Sequence, residues 1–153
     1  MDTLLDTLCT IIMELIMMDQ MTEPVIQLLK GKNFAHLSTL MNDGSPQVTP
    51  TWIDLDENSS SILISTVEGR IKHKNVSRDP RVAISISDAD NPYNMVLIRG
   101  RVIEQIKEGA VEHTDRLAKK YLGMDKYPFP TPIEKRITLK IKPERVFHQQ
   151  SFQ

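Results

Sequence analysis

The chain has 153 residues, a formal net charge of −1 and 25% charged residues, the size and balance of one soluble domain with a single core. A near-neutral surface with 5% aromatic residues offers neither a global field nor a stacking platform for nucleic acid. One cysteine, Cys9, excludes an internal disulfide and a cysteine-rich zinc site, and makes a reducing, cytoplasmic setting the default.

The first twenty residues are apolar through Leu4, Leu5, Leu8, Ile11, Ile12, Leu15 and Ile16, but Asp6 and Glu14 interrupt the run. No Lys or Arg precedes Lys30, so the basic n-region of a signal peptide is missing. The run is too short and too acidic to span a membrane. Residues 1–20 are expected as an extra helix, packed either on the domain or on a partner, and residues 21–153 as the domain. Met21 is a second candidate start, because Thr22–Glu23–Pro24 is itself a good helix beginning.

From Thr22 to Lys30, Val25, Leu28 and Leu29 recur at helical spacing, and Gly31 is placed to end the helix. Phe34 to Met41 reads as a strand, Asn42–Asp43–Gly44–Ser45 as a tight turn, and Pro46 to Asp56 as the returning strand. A third strand runs from Ser61 to Val67. A basic helix follows it and stops at Asp79–Pro80, since the residue before proline is pushed away from helical angles. Arg81 to Asp88 is the fourth strand, with Val82, Ile84 and Ile86 on one face. Asn94 to Gln105 is the fifth, and Gly100 within it marks a bulge or a close backbone approach. Gly109 to Leu122 is a helix whose apolar stripe is taken as Ala110, Val111, Thr114, Leu117, Ala118, Tyr121 and Leu122. After a proline-rich loop, Lys135 to Lys142 is the last strand; Pro143 breaks or bends it, and Arg145 to His148 is a candidate extension. The expected fold is mainly β (α+β): six antiparallel strands in a small barrel with flanking helices, closed because closure removes edges.

One segment points to chemistry. Ser65 to Arg81 joins a strand end, a glycine turn and a short helix, and between Arg70 and Arg81 it places Arg70, Lys72, Lys74, Arg78 and Arg81 against the single carboxylate Asp79. A helix start offers unsatisfied N–H groups, and guanidinium and ammonium groups beside them suit phosphate. The same run also fits a solvated connector. Of the four histidines, no two have the spacing of a helical metal pair. His36 is expected in packing or at the surface, His73 at the phosphate or in solvent, His113 on the solvated side of its helix, and His148 in a structural role or at a groove. Cys9 has no cation nearby to activate it.

Several segments together resemble the pyridoxamine 5′-phosphate oxidase-like split-barrel family, in particular its flavin and deazaflavin (F-420-dependent) oxidoreductases. They are Asn42 to Pro50, Ser65 to Arg81, Arg99–Gly100–Arg101–Val102, Arg116 to Gly123 and Ile141 to Val146, in that order over roughly residues 22–148. The resemblance implies a homodimer with a cofactor, FMN or coenzyme F-420, in a groove between subunits. By position, Arg70 and Lys72 would grip the cofactor phosphate, with Ile71 between them at the site. Ser65 and Thr66 would add hydroxyl and backbone contacts. Val48, Thr49, Pro50 and Thr51 would line the ring, and Tyr93, in the loop around Asn91–Pro92, would approach from the other subunit. Trp52, Met95 and Tyr93 are candidate walls, core packing being the other role for Trp52 and Met95. The implied activity is hydride transfer to or from a small organic substrate, with the cofactor supplying the chemistry. Pyridoxamine phosphate oxidation and non-catalytic flavin or haem binding are the competing readings.

Overall fold

A computed structural model describes residues 2–17 and 21–150. The outer parts of the two expected segments, residues 1, 18–20 and 151–153, lie outside the described residues. Helix α1 is Asp2–Met17. Its Leu4, Leu5, Leu8, Ile11 and Ile12 side chains are exposed. Helix α2, Glu23–Lys30, has Thr22 at its N-cap and Pro24 in its first turn, and buries Val25, Leu28 and Leu29. Gly31 ends it, though with extended rather than left-handed backbone.

The remaining elements are β1 (Ala35–Leu40), β2 (Pro46–Thr51), β3 (Asp54–Asp56), β4 (Ser61–Val67), α3 (Ile71–Arg78), β5 (Arg81–Ser87), β6 (Met95–Ile106), α4 (Ala110–Leu122) and β7 (Arg136–Gln149). The strands form one antiparallel sheet in the order β2-β1-β5-β6-β7-β4-β3. Strands β2 and β3 are consecutive in the chain yet occupy opposite edges. Trp52–Ile53 carries the backbone across, so the barrel is joined there by the chain and not by a strand ladder.

This corrects the expected count of six strands to seven. The predicted strand Pro46–Asp56 breaks at Trp52–Ile53 because Ile53 turns wholly into the core and its backbone finds side-chain partners. Its N–H donates to the Tyr121 hydroxyl at 3.1 Å, and its carbonyl accepts from Lys120 Nζ at 2.8 Å. Prolines 46 and 50 sit in β2, an edge strand, where a missing N–H costs no ladder bond.

Pro143 does not end the last strand. It lies opposite Gly100, and the register passes from Gly100↔Pro143 to Arg99↔Arg145, leaving Glu144 as the extra residue of a bulge. Gly100 therefore marks both a bulge and a close approach: a Cβ there would stand 2.3 Å from the Lys142 carbonyl oxygen.

The stripe on α4 also needs correction. Ala110, His113, Thr114, Leu117, Ala118 and Tyr121 are buried, whereas Val111 and Leu122 are exposed. His113, expected in solvent, is almost wholly buried because polar partners wait for it. Nδ1 lies 3.0 Å from Thr138 Oγ1, while Nε2 faces the Asp54 carboxylate at 3.5 Å without a hydrogen-bond partner among the described residues. The barrel interior is aliphatic, built from Leu37, Ile62, Ile64, Ile84, Ile86, Ile98, Leu139 and Ile141 among others, with α2 supplying Val25, Leu28 and Leu29.

Candidate functional site

The basic segment forms where the sequence placed it. Strand β4 ends at Val67, Arg70 is the N-cap of α3, and the helix runs to Arg78 before Asp79–Pro80. The helix is eight residues long and is fixed by buried contacts. Asn75 and Val76 point inward, and Asn75 Nδ2 donates to Thr39 Oγ1 at 3.0 Å. Arg78 is occupied structurally, donating to the Leu40 carbonyl. His73 Nδ1 accepts the Gly69 N–H at 2.9 Å and closes the turn.

Beside this helix start lies a cleft of about 210 Å³ lined by Phe34, Pro50, Thr51, Trp52, Ser65, Arg70, Lys72, Thr114, Leu117, Tyr127 and Arg136. Three of these are cations. Burial pushes the Lys72 ammonium below its ordinary value, and the neighbouring Arg70 and Arg136 guanidinium groups push it the same way. Arg70 Nη2 donates to Glu134 Oε1 at 2.8 Å, and Arg136 Nη2 donates to Glu134 Oε2 at 2.8 Å. Two guanidinium groups thus share one carboxylate beside a third cation, Lys72, an arrangement that an added anion would relieve.

The opposite wall is aromatic. Trp52 stacks on Tyr121 with centroids 5.3 Å apart and planes 5° apart, and meets Tyr127 edge-on at 6.1 Å. The Arg136 guanidinium lies over Tyr127, 4.6 Å from its centroid. Trp52 therefore both packs on Tyr121 and lines the cleft. Behind the wall, Asp54 is half-buried. Burial alone would raise its carboxyl, but the nearby His113 ring, a hydrogen bond from the Leu55 amide and the charge of Lys120 hold it below the usual range.

The structure brings Pro50, Thr51, Ser65, Arg70 and Lys72 to this cleft. The other expected residues lie elsewhere. Val48 lines a second, wider groove of about 700 Å³ on the outer face of the sheet, with His36, Leu97, Arg99 and Phe147. Thr49 is not among the residues that line the cleft. Thr66 points into the interior, buried, with no hydrogen-bond partner for its hydroxyl among the described residues. Ile71 and Tyr93 are exposed and do not line the cleft. Ser65 lines it, but its proton is committed. Thr114 Oγ1 donates to the Ala110 carbonyl at 2.9 Å, so in the 2.8 Å contact between the two hydroxyls Ser65 is the donor. His148 Nε2 pairs with Asn94 Oδ1 at 2.9 Å. Phe34, Thr114, Leu117, Tyr127 and Arg136 line the cleft without having been singled out in the sequence. Among the described residues, no three His, Cys, Asp or Glu side chains are grouped to hold a metal ion, and no helix is long and apolar enough to cross a membrane.

A split antiparallel barrel, with a cationic and aromatic cleft where a strand turns into a helix, defines the class of protein. Residues 21–150 match the family model described as pyridoxamine 5′-phosphate oxidase, and the chain belongs to that family. A solved structure of an F420 reductase superposes with a TM-score of 0.69 at 27% identity, covering 78% of this chain and 93% of that one. A conserved hypothetical protein of Mycobacterium tuberculosis superposes with a TM-score of 0.66 at 22% identity, over 87% of each chain. General Stress Protein 26 of Bacillus anthracis does so with a TM-score of 0.62 at 15% identity, over 83% of this chain and 92% of its own. The last two likenesses speak for the fold alone.

Proposed function

We propose that the protein is an oxidoreductase that holds the phosphate of FMN or coenzyme F-420 in this cleft and moves hydride to or from a small organic substrate. The observation that carries the reading is the convergence of Arg70, Lys72 and Arg136 on one cleft that Trp52 walls on its other side. A phosphate accepts charge-assisted bonds from guanidinium and ammonium groups, and a planar ring is at home against an aromatic wall. The deazaflavin coenzyme gains support from the likeness to an F420 reductase.

When bound, the cofactor ring would supply the hydride chemistry. The chain's own residues bind and orient it. Arg70 and Lys72 fix the phosphate end, and Pro50, Thr51 and Trp52 set the direction in which the ring leaves the cleft. The cleft would hold the anionic end, and the ring would pass beside Trp52 and continue along β2 toward Val48. Val48, Leu97 and Phe147 are exposed apolar side chains on the wider groove. A second copy covering that face would bury them and close the ring away from water, which is how the homodimer enters the reading. Tyr93 would then meet the cofactor only across such an interface.

The test is a titration of the full chain with FMN and with F-420, read by absorbance and fluorescence. Substituting Arg70→Ala together with Lys72→Ala should weaken binding by about 2–4 kcal/mol, the lower part of the range for two charge-assisted bonds because Arg70 is more than half exposed. Unchanged affinity would remove the cleft from the cofactor site. Turnover of the reduced cofactor with a panel of acceptors separates an enzyme from a carrier.

A further inference from the structure

We propose that Glu134 is the internal counter-anion of the cleft: it holds Arg70 in the ligand-free protein and releases it to an arriving phosphate, while staying paired with Arg136. The proposal rests on reading the cleft as a phosphate site, and it adds how that site is kept ready.

One carboxylate bridges two guanidinium groups through separate oxygens, each contact 2.8 Å long. The two halves of the bridge are unequal. Arg136 begins β7, paired opposite Val67 of β4, lies over the Tyr127 ring, and its side chain is 12% exposed. Arg70 stands at the start of α3 with its side chain 57% exposed, and Glu134 is the only side-chain partner described for it. Glu134 itself is fixed at the end of the proline-rich loop. Its N–H donates to the Thr131 carbonyl at 3.1 Å, and the next carbonyl, of Lys135, accepts the Glu68 N–H at 2.9 Å. The fixed pair is therefore Glu134–Arg136, and the arm that swings is Arg70.

Charge gives the direction of exchange. Three cations less one carboxylate leave the cleft at +2. A phosphate monoester brings about −1.5 to −2 at neutral pH. It can match the charge that Glu134 leaves uncompensated and offers Arg70 a doubly hydrogen-bonded face. As a brace between α3 and β7 the Arg70–Glu134 contact would contribute little, because ion pairs this exposed are weak. A weak, replaceable contact is what a placeholder requires. It keeps Arg70 near the cleft mouth and spares the empty site three unmatched charges.

The experiment compares wild type with Glu134→Gln, which keeps the shape and removes the charge. Two probes are used on the full chain. FMN should bind about threefold to tenfold more tightly to the variant, the loss of one exposed ion pair and one like charge. Riboflavin, which lacks the phosphate, should bind both proteins equally. Inorganic phosphate should raise the melting temperature of the variant by more degrees than that of wild type, and adding Arg70→Ala to the variant should abolish that difference. Glu134→Asp, too short to bridge both guanidinium groups, should move in the same direction by less, and serves if the glutamine variant folds poorly. Equal or weaker responses to FMN and phosphate in the folded variants overturn the proposal, as does a gain that survives Arg70→Ala. If wild type binds neither FMN nor F-420, the cofactor assignment fails, and the phosphate-dependent melting still decides the role of Glu134.

Discussion

Replacing Tyr121 by Phe tests the crossing that splits the barrel. Tyr121 is 5% exposed, and its hydroxyl makes two bonds. It donates to the Asn33 carbonyl at 2.6 Å and accepts the Ile53 N–H at 3.1 Å. Tyr121→Phe leaves the ring, and with it the stack on Trp52, but strands the Ile53 N–H in a fully buried position. An unsatisfied buried donor costs about 1–3 kcal/mol, and a lost hydrogen bond about 1 kcal/mol net. The expected destabilisation is about 2–3 kcal/mol, or roughly 5–10 °C in melting temperature for a domain of this size. Trp52 is the single tryptophan and touches the substituted ring, so its fluorescence reports urea unfolding directly at the crossing. A variant within about 0.5 kcal/mol of wild type, the usual reach of a neutral substitution, would mean that the crossing is held without the hydroxyl.

Gly100→Ala should destabilise by about 1–3 kcal/mol. The added methyl meets only backbone atoms, the Lys142 carbonyl at 2.3 Å and Pro143 Cα at 3.3 Å, and urea unfolding at wild-type stability would contradict the close approach. A pH profile tests Lys120. Burial pushes its ammonium down to about 8 against the pull of Asp54, whereas the unfolded chain keeps it near 10.4. Between those values the unfolded state carries a proton that the native state lacks, so stability should rise with pH. Above about pH 10 the Tyr121 phenol, pushed up to about 12 by burial, works the other way, because the unfolded chain loses a proton that the native chain keeps. Urea midpoints measured from pH 7 to 10 should climb above pH 8 in wild type and lose that climb in Lys120→Met. A variant with the wild-type slope would assign the titration elsewhere.

What could be read in advance was local. The alternation of Val82, Ile84 and Ile86, the Asn42–Ser45 turn, and the glycine between β4 and α3 each act within a few residues, so their pattern is written in the sequence. Arg70 and Lys72 were legible for that reason. The strand break at Trp52–Ile53 was not, because the groups that bend it, Tyr121 and Lys120, are 68 and 67 positions away from Ile53. Glu134 reaches Arg70 across 64 positions, and nothing in the run Ile133–Glu134–Lys135–Arg136 announces a carboxylate shared between two arginines. His113 was misread in the same way. A histidine on a helix looks polar until Thr138, 25 positions on, supplies the partner that lets it be buried. Val48 and Tyr93 do not line the cleft, and their expected part in the site was placed from the resemblance and not from local pattern.

The cleft and the split in the barrel have one origin. A strand that leaves one edge of a sheet and joins the other cannot pair with itself at the crossing, so β2 and β3 share no ladder. Side chains must fill the gap that opens there. On one side the chain places Trp52, backed by Tyr121. On the other it places the ends of elements that stop nearby: the end of β4 with Ser65, the start of α3 with Arg70 and Lys72, and the start of β7 with Arg136. Element ends carry unpaired backbone groups and accept charged residues that a strand interior would reject. A polar, cation-bearing gap with one aromatic side therefore follows from the topology. Its charge balance is what this particular sequence adds, with three cations converging and a single glutamate set to yield one of them.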